Sequence, residues 1–179
     1  MPALALNQIK ELMEACSANA ERLIQDAELL LANGRHPSSF ESSYFAMEEI
    51  AKFTDLYAVG HIVVEGGAVN WKAFWKRWRT HPSKSLSFVM LGNLHHEVAA
   101  LGHVDGDQIE YDPEAEAKVA GALHVERMAA LYVDWTDGLK SPDGVVTQQR
   151  AAELLAQAKA TRAAAQDLAP ELLNPPAPN

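Results

Sequence analysis

Apolar positions recur at three- and four-residue spacing along most of the chain. Ile9, Leu12, Met13, Cys16, Ala20, Leu23, Ala27, Leu30 and Leu31 define one long amphipathic helix. Asn33-Gly34 is its stop signal, because glycine takes the left-handed conformation that closes a helix. After Pro37, Ser38-Ser39-Phe40-Glu41 has the form of a capping box, with Ser38 as the cap and Glu41 reaching back. A second helix is expected from there to about Val64, ending at Gly66-Gly67. Asn70 caps a short third helix, Trp71 to about Arg79. Pro82 is placed to open a fourth, running to about Leu101, before a Gly/Asp loop from Gly102 to Tyr111. Asp112-Pro113 starts a fifth along Val119, Leu123, Met128, Leu131 and Tyr132, ending near Gly138. Pro142-Asp143-Gly144 reads as a turn, and Thr147 caps a last, alanine-rich helix to about Leu168. No internal repeat and no strand pattern is visible. The expectation is an all-α bundle of five or six helices, one domain over residues 1–168, with a disordered proline-rich tail over 169–179.

Composition adds a charge anomaly. The chain has 179 residues, 48% apolar and 22% charged, which suits one globular domain with a substantial core. Its net charge of −9 disfavours indiscriminate nucleic-acid binding. Between Gly66 and His96, however, there is no Asp or Glu, while Lys72, Lys76, Arg77, Arg79 and Lys84 all fall there. Trp71, Trp75 and Trp78, three of the four tryptophans, share that stretch. The single Cys16 forms no intramolecular disulfide and anchors no cysteine-based zinc site. No secretory signal is visible, and the longest apolar stretches, such as Leu56–Val64, fall short of the roughly 20 residues a membrane span needs. A cytoplasmic protein without membrane association is expected.

Three groups of residues carry candidate chemistry. Glu48 and Lys52 of the run Glu48-Glu49-Ile50-Ala51-Lys52 lie one helical turn apart, with Tyr44 a turn earlier. They read either as a surface ion pair or as a polar cluster facing a cleft, where a fixed Glu orients a Lys or His. The run from Trp75 to Lys84 holds Lys76, Arg77, Trp78, Arg79 and His81. Arg or Lys there can stabilise a pentavalent phosphate while His81 moves a 2′-hydroxyl proton, and aromatic rings among cations suit unpaired bases. Equally, the tryptophans can anchor a short helix in the core while the cations stay solvated. The third group is His95, His96 and His103 with Glu97. Adjacent His95 and His96 point about 100° apart on a helix, and no HExxH or ExxH pair occurs, so neither a metal nor any other cofactor is expected.

Taken together, these residues resemble the AbiV family of abortive-infection proteins, a branch of the HEPN superfamily of small helical bundles. The likeness runs through Cys16-Ser17-Ala18-Asn19-Ala20-Glu21-Arg22-Leu23, Leu30-Leu31-Ala32-Asn33-Gly34-Arg35 and Ala46-Met47-Glu48-Glu49-Ile50-Ala51-Lys52. It is sharpest from Trp71 to Lys84, echoes weakly at Ala130–Trp135 and Pro142, and covers about residues 7–145. An EExxK helix paired with a downstream HxxK carries it. The resemblance implies a HEPN-like bundle, a homodimer, and a role in bacterial defence against phage through arrest of growth or translation. Many HEPN proteins are metal-independent ribonucleases with an Arg, four to six intervening residues, and a His. No arginine of this chain has a His at that separation: only three residues intervene between Arg77 and His81, and the position with four intervening residues is Lys76. The resemblance instead implies His81 and Lys84, with Glu48 and Lys52, as the functional positions.

Two functional expectations follow. In the first, RNA is cleaved to a cyclic phosphate, with His81 as general base, Arg77 or Lys84 stabilising the transition state, and Glu48 and Lys52 ordering the site. Lys72, Lys76, Arg79, Trp75 and Trp78 would then bind nucleic acid. In the second, the bundle is a non-catalytic interaction protein for a phage-encoded or translation-related partner, and Glu48, Lys52, His81 and Lys84 form a structural polar network.

Overall fold

The computed structural model describes residues 2–79, 113–135 and 137–173. They form α1 (Leu6–Ala32), α2 (His36–Val64), α3 (Trp71–Trp78), α4 (Pro113–Leu131), β1 (Asp134–Trp135), β2 (Leu139–Lys140), α5 (Pro142–Val145) and α6 (Gln148–Leu173). The architecture is all-α, as the 3.6-residue periodicity requires. The expected fourth helix from Pro82 and the loop to Tyr111 lie outside the described residues.

Local signals explain where the two longest helices stop. Gly34 has φ 71°, its N–H donates to the Leu31 carbonyl at 3.1 Å, and the Arg35 N–H donates to the Leu30 carbonyl at 2.9 Å. This is a Schellman closure, which satisfies the last carbonyls of α1. Gly66 closes α2 in the same way, with φ 74° and bonds from Gly66 to Val63 and from Gly67 to Ile62. Only three residues separate α1 from α2, so the two pack as antiparallel neighbours. Ser39 fixes their register, its buried hydroxyl donating to the Ala27 carbonyl at 2.8 Å.

The core sits in two stacked clusters along α2. Nearer the α1–α2 turn, Ile24 and Ala27 of α1 meet Phe40, Tyr44 and Met47 of α2, Leu123 of α4, and Ala151, Leu154 and Ala158 of α6. Towards the other end, Ile9, Met13, Cys16 and Ala20 of α1 meet Ile50, Phe53, Leu56 and Val59 of α2, with Phe74 of α3 and Ala165 of α6. Because α2 has neighbours on several sides, it buries apolar residues around most of its circumference. It also buries Glu41, whose Oε1 accepts from Arg127 Nε of α4 at 3.0 Å. The Arg127 guanidinium lies over the Tyr44 and Phe45 rings at 5.1 and 5.0 Å.

Several boundaries differ from expectation. Helix α2 begins at His36 with Arg35 at its cap, so the Ser38–Glu41 pair lies inside the helix, and Glu41 reaches across to α4 instead. Helix α4 ends at Leu131, where the chain turns into the antiparallel pair Asp134↔Lys140 and Trp135↔Leu139. Gly138, at φ 135°, makes that short hairpin possible. Pro142–Val145 forms a single helical turn. Helix α6 continues to Leu173, with Pro170 inside its final turn. Thr147 does cap α6, its Oγ1 accepting from the Arg150 N–H at 3.1 Å.

Candidate functional site

Helix α3 is short and two-faced. Asn70 starts it, its Oδ1 accepting from the Ala73 N–H at 3.1 Å. Trp71, Phe74, Trp75 and Trp78 recur at helical spacing and pack on the second core cluster, with Phe74 fully buried beneath them. The rings meet edge-on, at centroid separations of 5.0 Å for Phe74–Trp75, 5.7 Å for Trp71–Phe74 and 5.9 Å for Trp75–Trp78. Trp75 Nε1 donates to the Pro2 carbonyl at 2.8 Å. Each tryptophan thus serves as an anchor while keeping part of its ring at the surface. On the opposite side, Lys72, Lys76 and Arg79 recur at four- and three-residue spacing and are exposed. They form a cationic stripe along α3.

Helix α2 supplies the other half of the seam. Lys52 Nζ pairs with Glu49 Oε1 at three-residue spacing, so the observed ion pair runs to Glu49 rather than to the i,i+4 partner Glu48. The same ammonium lies 5.5 Å from the centroid of the Trp78 ring, a cation–π contact that ties α2 to α3. Glu48 is 5% exposed. One turn beyond Lys52, Asp55 Oδ2 accepts from Arg77 Nε at 3.0 Å. Burial raises the Asp55 carboxyl above its ordinary value, and the Arg77 charge and hydrogen bond partly offset this. Signs therefore alternate along the seam: Glu49, Lys52, Asp55, Arg77.

The structure brings Lys52, Arg77 and Trp78 together and sets Lys72, Lys76 and Arg79 on the adjoining outer face. Glu48 belongs to the same helix but is withdrawn into the bundle. His81 and Lys84 lie outside the described residues, as do His95, His96 and His103. Asp55 was missed by the sequence reading. Its signal was its position, seven residues after Glu48 and three after Lys52, which places a third charged residue on that side of α2. Chemically, the seam offers a guanidinium and an ammonium held by carboxylates, beside exposed cations. Such an arrangement suits a phosphate oxyanion.

Among the described residues no three His, Cys, Asp or Glu side chains converge as a metal site would require. Among them, too, no helix is long and apolar enough to cross a membrane.

A helical bundle with a charged seam between its second and third helices defines the class of protein, and comparison with known families sharpens it. The family model described as AbiV (HEPN_AbiV) matches residues 8–163. The chain therefore belongs to the AbiV family of HEPN proteins, whose function is abortive infection in defence against phage. No curated protein and no solved structure gives a significant match.

Proposed function

We propose that the protein acts in phage defence by engaging RNA at the α2–α3 seam. The observation that carries this reading is the outward stripe of Lys72, Lys76 and Arg79 alongside Arg77 and Lys52. In an otherwise acidic molecule, that stripe gives one local surface able to replace the counterions of a phosphate chain. The half-buried Trp75 and Trp78 add ring edges beside it for unpaired bases. A homodimer in the bacterial cytoplasm, with two seams side by side, would widen the positive surface beyond what one protomer offers.

Cleavage in this reading needs no metal. His81 takes the proton from a 2′-hydroxyl, the 2′-oxygen attacks phosphorus, and the P–O5′ bond breaks to leave a cyclic phosphate, the departing 5′-oxygen taking a proton from water to become a hydroxyl. Arg77 or Lys84 stabilises the charge on the pentavalent phosphorus, and Glu48 and Lys52 order the surrounding groups. The test is incubation of purified protein with total RNA and tRNA under EDTA, alongside His81→Ala. Cleavage that survives EDTA and is lost in the variant supports the enzyme. Binding without cleavage reduces the role to RNA capture.

A second reading has its own supporting observation. Val125, Met128, Tyr132, Trp135 and Leu139, on the outer side of α4 and the following hairpin, are all exposed, Trp135 by 74%. Exposed apolar clusters of this kind mark interaction surfaces. They favour a non-catalytic protein that holds a phage-encoded or translation-related partner. Absence of both RNA cleavage and RNA binding would select it.

A further inference from the structure

Among the described residues the Arg77 guanidinium is held from one side. Asp55 Oδ2 takes its Nε at 3.0 Å, and among the described residues its two terminal nitrogens make no bond. The Arg77 side chain is 47% exposed, whereas that of Asp55 is 13% exposed. A guanidinium is planar and rigid, so a bond through Nε fixes the plane in which the terminal N–H groups lie. With Nε occupied, the edge formed by the two terminal nitrogens remains for an external acceptor. That edge matches two oxygens of one phosphate.

We propose that Asp55 is a positioning residue, which clamps Arg77 through Nε and presents its terminal edge as a bidentate fork for a single phosphodiester group. The inference rests on the RNA reading above and names the element that orients the ligand. Asp55 is well suited to this role. It stands on α2, a long helix buried around most of its circumference, and therefore borrows the rigidity of the bundle. Arg77 belongs to the eight-residue α3 and has no such support of its own. Lys52 is held comparably, between Glu49 and the Trp78 ring, so both cations facing the seam are oriented before a ligand arrives. Pre-ordering removes part of the rotamer entropy that a free arginine loses on binding. The Asp55–Arg77 pair is a weak contributor to stability. It is half open to solvent on the Arg side, and burial of Asp55 opposes its ionisation. Direction is what the pair supplies.

Electrostatics alone makes the opposite forecast, and this allows a clear test. Asp55→Asn removes a negative charge from the seam, so a purely Coulombic role predicts tighter binding of a polyanion. The clamp predicts weaker binding. Full-length wild type, Asp55→Asn, Arg77→Ala and the double variant would be titrated with fluorescein-labelled oligouridine, read by anisotropy over a range of salt. Arg77→Ala should weaken binding about tenfold, as expected for one charge-assisted contact, and lower the salt slope by about 0.7. Asp55→Asn should weaken it by a smaller factor, and the double variant should bind no more weakly than Arg77→Ala, because without Arg77 the clamp has nothing to orient. The Arg77 Nε–H resonance in nitrogen-15 spectra reads the clamp without RNA. It should be protected from exchange in the wild type and lose protection in Asp55→Asn. Wild-type protein that binds no oligouridine overturns the RNA reading. Wild-type binding that Asp55→Asn leaves equal or strengthens overturns the clamp alone, and so does an unprotected Nε–H in the wild type.

Discussion

A single carboxylate, Asp55, shows how one residue couples stability to chemistry. Its folded-state pKa lies above the ordinary 3.8 because burial outweighs the attraction of Arg77. A raised carboxyl value means that folding is favoured by the protonated form. Its contribution is fully present below the unfolded value and is lost as pH rises through the folded one. At neutral pH, then, ionised Asp55 is a liability to the fold. Asp55→Asn should leave urea stability at neutral pH equal to or above wild type, with the difference vanishing below the ordinary carboxylate value. Two urea titrations decide it, and a variant clearly less stable at neutral pH contradicts the sign. The position of Asp55 on α2 is readable in the sequence, but its pairing is not, because Arg77 lies 22 positions away on a separate helix. Glu41 was misread for a related reason. A Ser-x-x-Glu run reports a cap only if the helix starts there, and the actual partner, Arg127, is 86 positions distant.

At the level of elements, local signals proved the most legible. Asn70, Thr147, Gly34 and Gly66 all act within a few residues of themselves, and each cap or closure falls where the sequence places it. Asn70→Ala should therefore loosen α3 by about 1 kcal/mol, the usual contribution of a side-chain cap. Hydrogen exchange across Trp71–Trp78 would register it as faster opening of α3, with the amides of α1 and α2 unchanged. Elements set by tertiary context were harder to read. The apolar run Leu131-Tyr132-Val133 continues the pattern of α4, yet the helix stops at Leu131 and a hairpin of two-residue strands follows. Strands that short carry no alternation to detect. The pairing of Lys52 with Glu49 was likewise undecidable locally. Three- and four-residue spacings are both geometrically open on a helix, and the ring of Trp78 also constrains where the ammonium lies.

For the whole molecule, the two-cluster core explains why the candidate site is rigid on one side only. The cluster nearer the α1–α2 turn, built from α1, α2, α4 and α6, is tied by polar contacts as well as packing, above all Arg127 with Glu41 and Arg150 with Glu126, whose closest approach is 2.6 Å. Breaking the buried Arg127–Glu41 pair should destabilise the fold globally. Arg127→Ala leaves the Glu41 carboxylate in a site built for an ion pair and removes two cation–π contacts, for a loss of about 3 kcal/mol in urea unfolding. A loss under about 1 kcal/mol would mean that α4 is held by packing alone.

The bond from Trp75 to the Pro2 carbonyl ties α3 to the start of the chain. It joins groups 73 positions apart, so closing it costs more chain entropy than the local contacts of α3 do. Helix α3 fully buries one side chain, Phe74, and otherwise leans on half-buried rings. A segment seated this lightly is open to local unfolding. The cationic stripe and the Arg77 fork are thus carried on a lightly seated element, while the frame of α1 and α2 beneath it is held by packing along most of its length.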